Sequence, residues 1–385
     1  MLSLALSGRA VASQAQIDTA WNKGVAWLLT HQRADGSWRS VAGTEFAATA
    51  AALEALNRVN VKGHPFALAV AWLSNADATS VDSLARRILA LKAAGLNVTP
   101  ALQTLVGWRN SSLTWGAYDR FETSFPDTPL AVAALRTAQF SYTDLEYVTA
   151  LCAILAAQKT EGATVQGSWS HIDPWIEPPP PAITSAILPT ARNLLEINAL
   201  GMAKGWSGAD CDGTLYTIAT ATTNGIDWLV NHRRHATNGG FGEPLSGSVV
   251  STVFDTALAY EVLATLRPVD PATGPSLDYL IAHQQPDGSW NGDALQTAFV
   301  LKVLPAPTGV TLADSDKDSI PNTVEPILGT NPNLADSRWL ASPFDGDLNQ
   351  DGVVDAADVG LAEQLAGGQL QPTPLLLRHG DVAPP

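Results

Sequence analysis

Cysteine and methionine are scarce in this chain, with two of each in 385 residues, and charged side chains make up only 15% of it. Two thiols cannot build a disulfide framework. Cys152 lies in the apolar stretch VTALCAIL, where a small buried thiol is the ordinary expectation, and a single bridge to Cys211 is the other reading if the protein is exported. Basic residues are also in short supply: 22 Lys and Arg stand against 37 Asp and Glu, a formal charge of −15. A surplus of that sign repels phosphate backbones and argues against nucleic acid as a partner. Long hydrophobic runs are missing too. Nothing approaches the roughly 20 uninterrupted apolar residues that a bilayer requires, so no transmembrane segment is expected.

What is present is unevenly distributed. From residue 307 onward there are twelve acids and three bases, so most of the acidic excess sits in the last fifth of the chain. Such a tail reads as a solvated surface or as a site for hard cations. At the other end, MLSLALSGRAVASQAQ is apolar and small, with Val11-Ala12-Ser13 and Ser13-Gln14-Ala15 as cleavage sites. Over residues 1–16 it reads as a signal peptide truncated at its front, with an ordinary disordered end as the other reading, since a basic start is lacking and Arg9 interrupts the apolar run.

The string WLLTHQRADGSW at 27–38 returns as YLIAHQQPDGSW at 279–290. Each copy, and also the stretch ending at Gly242, is followed by a Thr-Ala segment whose large apolar residues recur at spacings of three and four: Thr49 to Leu56, Thr256 to Leu263 and Thr297 to Leu304. That spacing predicts helices. Asp-Gly at 35–36 and 287–288 suits a tight reversal, the indole can lie over the turn, and Gln32 or Gln284 can tie down backbone at the next helix end. Weaker copies appear in WLVNHRRHATNGGFG at 228–242, LAAQKTEGATVQGSW at 155–169, AVAWLSNADATSVDSLARRILALKAAG from 69, and ALQTLVGWRNSSLTWGAY with TPLAVAALRTAQ. Six helix pairs of roughly 45–50 residues result, a period that calls for a repeat architecture. His31 and His283 hold equivalent positions in it and share one packing role.

The aromatic-Leu, Gln, Gly-Ser-Trp pattern resembles the QW repeat of squalene-hopene cyclases and their relatives, the β subunits of protein prenyltransferases. The resemblance implies an all-α fold over 17–305, an (α/α)6 toroid of six helix pairs; an open solenoid is the structural alternative. The family's cyclases carry an acidic Asp-x-Asp-Asp-Thr-Ala motif, whereas this chain has Thr252-Val253-Phe254-Asp255-Thr256-Ala257, keeping only the last Asp. The prenyltransferases continue from Gly-Gly-Phe-Gly into zinc ligands. Here Gly239-Gly240-Phe241-Gly242 runs on without Cys, and Ala209-Asp210-Cys211-Asp212 stands elsewhere. The resemblance therefore supports the ring more than either chemistry.

Two insertions, LTWGAYDRFETSF at 113–125 and GSWSHIDPWIEPPPPA at 167–182, mix aromatics with Asp119, Arg120, His171, Asp173 and Glu177. Aromatic loops with scattered polar groups suit a polysaccharide cleft, in which a Tyr or His removes a proton and an Arg neutralises a carboxylate. Tyr118, Arg120, His171 and Asp255 are the candidate catalytic residues, against a packing role for each. His232 and His235 share a helical side without a third ligand, which reads as a solvated basic turn.

LPAPTG at 304–309 reads as a linker. In DSDKDSIPNTVE, residues Asp314, Asp316, Asp318, the carbonyl of Ile320, Asn322 and Glu325 take positions 1, 3, 5, 7, 9 and 12 of a calcium loop, with Ser319 where Gly usually makes the bend. In DLNQDGVVDAAD the same register holds Asp347, Asn349, Asp351, the carbonyl of Val353, Asp355 and Asp358. The first loop, over 306–336, is similar to thrombospondin type 3-like calcium repeats. The second, over 337–385, resembles one half of a type I dockerin. These resemblances imply calcium as cofactor, an EF-hand-like tail, a secreted or cell-surface location, and a cohesin-like protein or cell-surface scaffold as partner. Three functional readings follow: an exported calcium-binding protein whose toroid is a binding or scaffold module, a polysaccharide-degrading lyase or glycoside hydrolase with a docking tail, and a divergent isoprenoid-processing enzyme.

Overall fold

The computed structural model describes residues 12–140, 143–171, 185–309, 312–334, 348 and 356–371. Between Gln14 and Val303 the helices come in consecutive pairs. These are α1 (Gln14–Thr30) and α2 (Glu45–Arg58), α3 (His64–Asn75) and α4 (Val81–Ala93), α5 (Thr99–Gly107) and α6 (Asp127–Thr137), α7 (Asp144–Ala156) and α8 (Ile187–Lys204). A hairpin of β1 (Gly208–Cys211) and β2 (Thr214–Thr217) precedes α9 (Ile218–His232). A second hairpin, β3 (Phe241–Leu245) and β4 (Ser248–Thr252), precedes α10 (Val253–Leu266), and α11 (Thr273–Ala282) and α12 (Ala294–Val303) follow. Beyond them lie the short α13 (Glu325–Leu328) and α14 (Ala356–Ala366). The fold is mostly helical, and α1 begins three residues before the boundary at 17.

The two hairpins are a correction to the all-α expectation. Their tips, Asp212-Gly213 and Ser246-Gly247, all have positive φ, between 51° and 84°. Two consecutive left-handed residues make the turn whose twist matches paired strands, and Asp-Gly is a strong local signal for it. Gly208 pairs with Thr217 and Cys211 with Thr214, while Phe241 pairs with Thr252 and Leu245 with Ser248.

The repeated string is a clasp, and its parts act differently from the expectation. Each clasp tryptophan is fully buried, and its indole N–H donates backwards into the last turn of the preceding helix: Trp38 to the Leu28 carbonyl at 2.8 Å, Trp115 to Leu105 at 2.7 Å, Trp169 to Ile154 at 2.7 Å. In that last turn the regular backbone bonds run out, and the indole adds to the long bonds that Leu28 and Leu105 accept from the His31 N–H at 3.2 Å and the Trp108 N–H at 3.3 Å. Its backbone N–H is taken by a threonine in the second helix of the pair: Trp38 by Thr49, Trp115 by Thr128, Trp169 by Thr190 and Trp290 by Thr297, with Phe241 and Thr256 in the same roles.

Glutamine reaches into the next pair rather than capping a nearby end. Gln32 donates to Gly36 and to Pro65 of α3, Gln158 to Gly167 and to Ala221 of α9, and Gln284 to Gly288 and to Ala20 of α1. The turn glycine is required twice over. Gly288 has φ +96°, and a Cβ there would stand 2.3 Å from the Lys23 carbonyl. His31 and His283 do share a role: each Nδ1 meets a carbonyl four residues back, and each ring stacks on that residue, Trp27 or Tyr279. The link between α3 and α4 carries no clasp; a reciprocal Ser80–Ser83 capping box starts α4 instead.

The chain divides into two compact units, one of residues 1–13 and 77–283, the other of 14–76 and 284–385. In the first, α4, α6, α8 and α10 pack in succession, with α4 also against α5, α6 against α7, α8 against α9 and α10 against α11. A disulfide joins Cys152 of α7 to Cys211 of β1, which replaces the buried-thiol reading. In the second, α2 packs on α3, α12 packs on both α2 and α1, and α13 lies on α1. The segment read as a linker is held there: Trp21 donates its indole N–H to Pro305 at 2.9 Å, and Thr308 donates to Asp18. No described helix is long and apolar enough to cross a membrane.

Candidate functional site

The site grows from a short pattern at two helix starts. Ser124-Phe125-Pro126-Asp127-Thr128 opens α6, and Thr252-Val253-Phe254-Asp255-Thr256 opens α10. In each, the Ser or Thr hydroxyl donates to the Asp three residues on, Ser124 to Asp127 and Thr252 to Asp255. The next threonine then holds the clasp. Folding thus requires the hydroxyls, and it leaves one carboxyl at the first turn of each helix. Burial pushes both carboxyls above their ordinary range, against the hydrogen bonds that favour the charged form.

Asp127 belongs to a cleft of about 590 Å³ in the first unit, with Ser124, Arg120, Phe121, Glu122 and His171 among its lining. The loop that carries Arg120 bends through left-handed residues at Leu113 and Arg120, both near φ +59°. Its end is fixed by Asn110, which donates to the Phe121 carbonyl, and by Ser124 N–H donating to Trp115. His171 arrives from the other loop because its carbonyl accepts the Phe125 N–H at 3.1 Å. Its imidazole is exposed, and loss of hydration along its packed side lowers its basicity, with Glu243 and Asp127 opposing and Arg192 assisting.

Beneath Asp127 is an ion cluster. Asp82 of α4 accepts from Arg86 at 2.6 Å and from Arg192 of α8 at 2.9 Å. Burial works against its charge, but the two guanidiniums prevail and hold it well below the usual carboxylate range. Arg192 also donates to the Pro126 carbonyl at 2.9 Å, next to Asp127, and Asn193 donates to Phe125. Glu243 on β3 accepts from Ile187 N–H at the start of α8 and from Arg233. The hairpin thus caps the helix that supplies Arg192.

Of the four candidate catalytic residues, two meet here: Arg120 and His171. Tyr118 stands on the same loop, half exposed, edge-on to Phe121 at 5.4 Å between ring centroids, and is not in the lining. Asp255 lies outside it, at α10. Asp173 and Glu177 fall outside the described residues. Sequence reasoning missed Asp127, although FPDTPLA repeats the spacing of VFDTALA and carried the signal.

In the second unit, Asp314, Asp316 and Asp318 present carboxylate oxygens within 4.8 Å of one another. They are shaped by their own loop: Asp314 accepts from the N–H groups of Lys317 and Ser319, Asp318 from Ile320. Ser319 adopts φ +77°, the bend expected of the sixth position, and Lys317 is also left-handed. Asn322 accepts from Ser315 N–H, and Glu325 is fully buried at the start of α13. In the second calcium register, Asp347, Asn349, Asp351, Val353 and Asp355 lie outside the described residues. Asp358 is buried in the first turn of α14.

The sequence matches no known protein-family profile, and no curated protein is similar to it in sequence. Its fold is similar to that of solved structures. The type II terpene cyclase MstE from Scytonema superposes with TM-score 0.54 at 14% identity, over 76% of this chain and 98% of that one. The complex of that enzyme with its substrate geranylgeranyl dihydroxybenzoate gives the same score and identity, over 76% of this chain and 97% of that chain. A protein from Actinoplanes gives 0.52 at 18% identity, over 76% and 98%. The helical repeat is therefore of the terpene cyclase kind in its fold.

Proposed function

We propose that this is an exported calcium-binding protein whose six helix pairs close into an (α/α)6 ring, with the ring serving as a binding module for a polysaccharide. The carrying observation is the lining of the cleft: Arg120, Glu122, Ser124, Asp127 and His171 leave Phe121 as its one large aromatic wall. Polar groups spaced around one aromatic suit a hydroxyl-rich ligand, whereas a prenyl chain needs an apolar enclosure and a carbocation needs aromatic faces. The acid position of the cyclase motif is Phe254, and Asp255 lies outside the cleft.

Ring closure is supported by the packing of the last helix of the repeat, α12, on α1 and α2 and by Gln284 donating to Ala20. Export is supported by the Cys152–Cys211 bond, since such bonds persist in oxidising compartments. For calcium, the support is the Asp314–Asp318 carboxylate group wound around left-handed Ser319, with buried Glu325 at the twelfth place. The loop from Asp347 to Asp358 would take a second ion, and the tail would dock onto a cohesin-like protein or a cell-surface scaffold.

Calorimetric titration of the purified protein with neutral and acidic polysaccharides and with prenyl diphosphates tests the reading. Heat with a polysaccharide that diminishes in Arg120→Ala supports it. Binding or turnover of a prenyl compound instead would overturn it.

A further inference from the structure

The cleft holds three groups with complementary roles, and this inference rests on its being a polysaccharide site. We propose that the cleft performs a β-elimination on a uronic-acid polysaccharide, with Arg120 holding the sugar carboxylate, His171 removing the proton beside it, and Asp127 protonating the departing oxygen.

Each role follows from placement. Arg120 is exposed at the cleft, its nearest acid being the adjacent Asp119 at 3.8 Å, so its guanidinium is available to a carboxylate. A carbon-bound proton beside a carboxylate becomes removable only when the charge building on that group is stabilised, and a positioned cation does this. His171 opens onto the same cleft and is held by its carbonyl to Phe125, two residues from Asp127. Desolvation lowers the basicity of its imidazole and so favours the neutral form, the one that accepts a proton. Asp127 is 8% exposed, with Ser124 donating to one oxygen, and burial favours retention of a proton on the carboxyl. Asp82, Arg86 and Arg192 act behind it: Arg192 grips the Pro126 carbonyl and so positions Asp127.

The step balances without water, metal or redox partner. The pair of electrons from the broken C–H bond forms a carbon–carbon double bond to the neighbouring carbon. The bond from that carbon to the glycosidic oxygen breaks, and the oxygen takes the Asp127 proton. His171 gains the proton that left carbon, and both side chains reset by exchange with solvent. A neutral sugar lacks the carboxylate that makes its ring proton removable, which is why the substrate class is uronic. Most of the chain's acidic excess lies beyond residue 306.

The test uses the full chain with polygalacturonate, alginate and hyaluronan, following the ultraviolet absorption of the new conjugated double bond and, in parallel, binding heat. Turnover of one of them is expected, falling by about 100-fold or more in Asp127→Asn and in His171→Ala, the usual range for a lost acid or base. Arg120→Ala raises KM as well, and Ser124→Ala shifts the alkaline limb of the pH profile, on which Asp127 loses the proton it must donate. Absence of unsaturated product on all three glycans from folded protein overturns the inference, as does chain cleavage without unsaturation or an unchanged rate in Asp127→Asn. Binding heat without turnover would sink the elimination alone and leave the binding reading standing.

Discussion

Thr128 holds both backbone groups of Trp115: the threonine hydroxyl accepts the Trp115 N–H at 3.1 Å and donates to the Trp115 carbonyl at 2.8 Å. Both residues are fully buried. The hydroxyl is the acceptor for the Trp115 N–H and shares the Trp115 carbonyl with the Ser124 N–H. Thr49, Thr190 and Thr297 accept the equivalent N–H, and Thr256 both accepts from and donates to Phe241.

Thr128→Val keeps the shape and loses both bonds. The expected cost is about 1–3 kcal/mol, because the buried Trp115 N–H is left without an acceptor while its carbonyl keeps the Ser124 N–H. Thr128→Ser should retain most of the stability. Urea denaturation of the two variants beside the parent protein checks this, and equal losses in both would show that the methyl contact matters rather than the hydroxyl.

Glu196 of α8 meets Arg136 of α6 through two bonds, at 2.9 and 2.8 Å, in a buried setting. Burial pushes its carboxyl up from 4.5 to about 7 despite the arginine. The folded protein then takes up a proton more readily than the unfolded chain. This contribution to stability is complete below the unfolded value of 4.5 and is lost as pH rises through about 7. Chemical denaturation between about pH 5 and pH 7.5 should show a decline that Glu196→Gln flattens. Glu196→Gln also costs stability at the upper end of that range, where Glu196 is charged and Arg136 would lose its partner.

The Cys152–Cys211 bond closes a separation of 59 residues, which lies in the range where a cross-link constrains the unfolded chain strongly. Replacing both with Ser should lower stability by about 2–4 kcal/mol. Denaturation with and without reductant provides the measurement, and the double variant should no longer respond to reductant.

Removing calcium with a chelator should lower the melting temperature. The effect should vanish in Asp314→Ala/Asp316→Ala. Ser319→Gly relieves a left-handed serine and should stabilise the ion-free loop by up to about 1 kcal/mol. Differential scanning calorimetry across the variants reads both effects, and an unaltered calcium response in the double variant would remove this loop from the metal assignment.

Much of the molecule could be read in order along the chain. Spacings of three and four marked the helices, Asp-Gly-Ser-Trp marked the clasp, and the alternation Asp314, Asp316, Asp318 marked a loop that turns its carboxylates to one side. The hairpins were missed even though Asp212-Gly213 announced one, because helical periodicity on both sides drew attention from a four-residue strand. Asp127 was missed because its nearest sequence neighbours explain it as an ordinary helix start. Its significance lies in what α8 and the loop at His171 bring beside it.

The sequence by itself determined what depends on residues close in the chain: the helix pairs, the glycine turns that no other residue fits, and the clustering of Asp314, Asp316 and Asp318. Those features follow from local dihedral preferences and from which face of a helix is apolar. Tertiary structure alone decided that Arg120, Asp127 and His171 share a cleft, that Cys152 bonds to Cys211, and that α12 packs on α1 and α2. Each of these depends on how packed helices are offset from one another. That offset is set by the combined shape of many buried side chains, so no short stretch of sequence contains it.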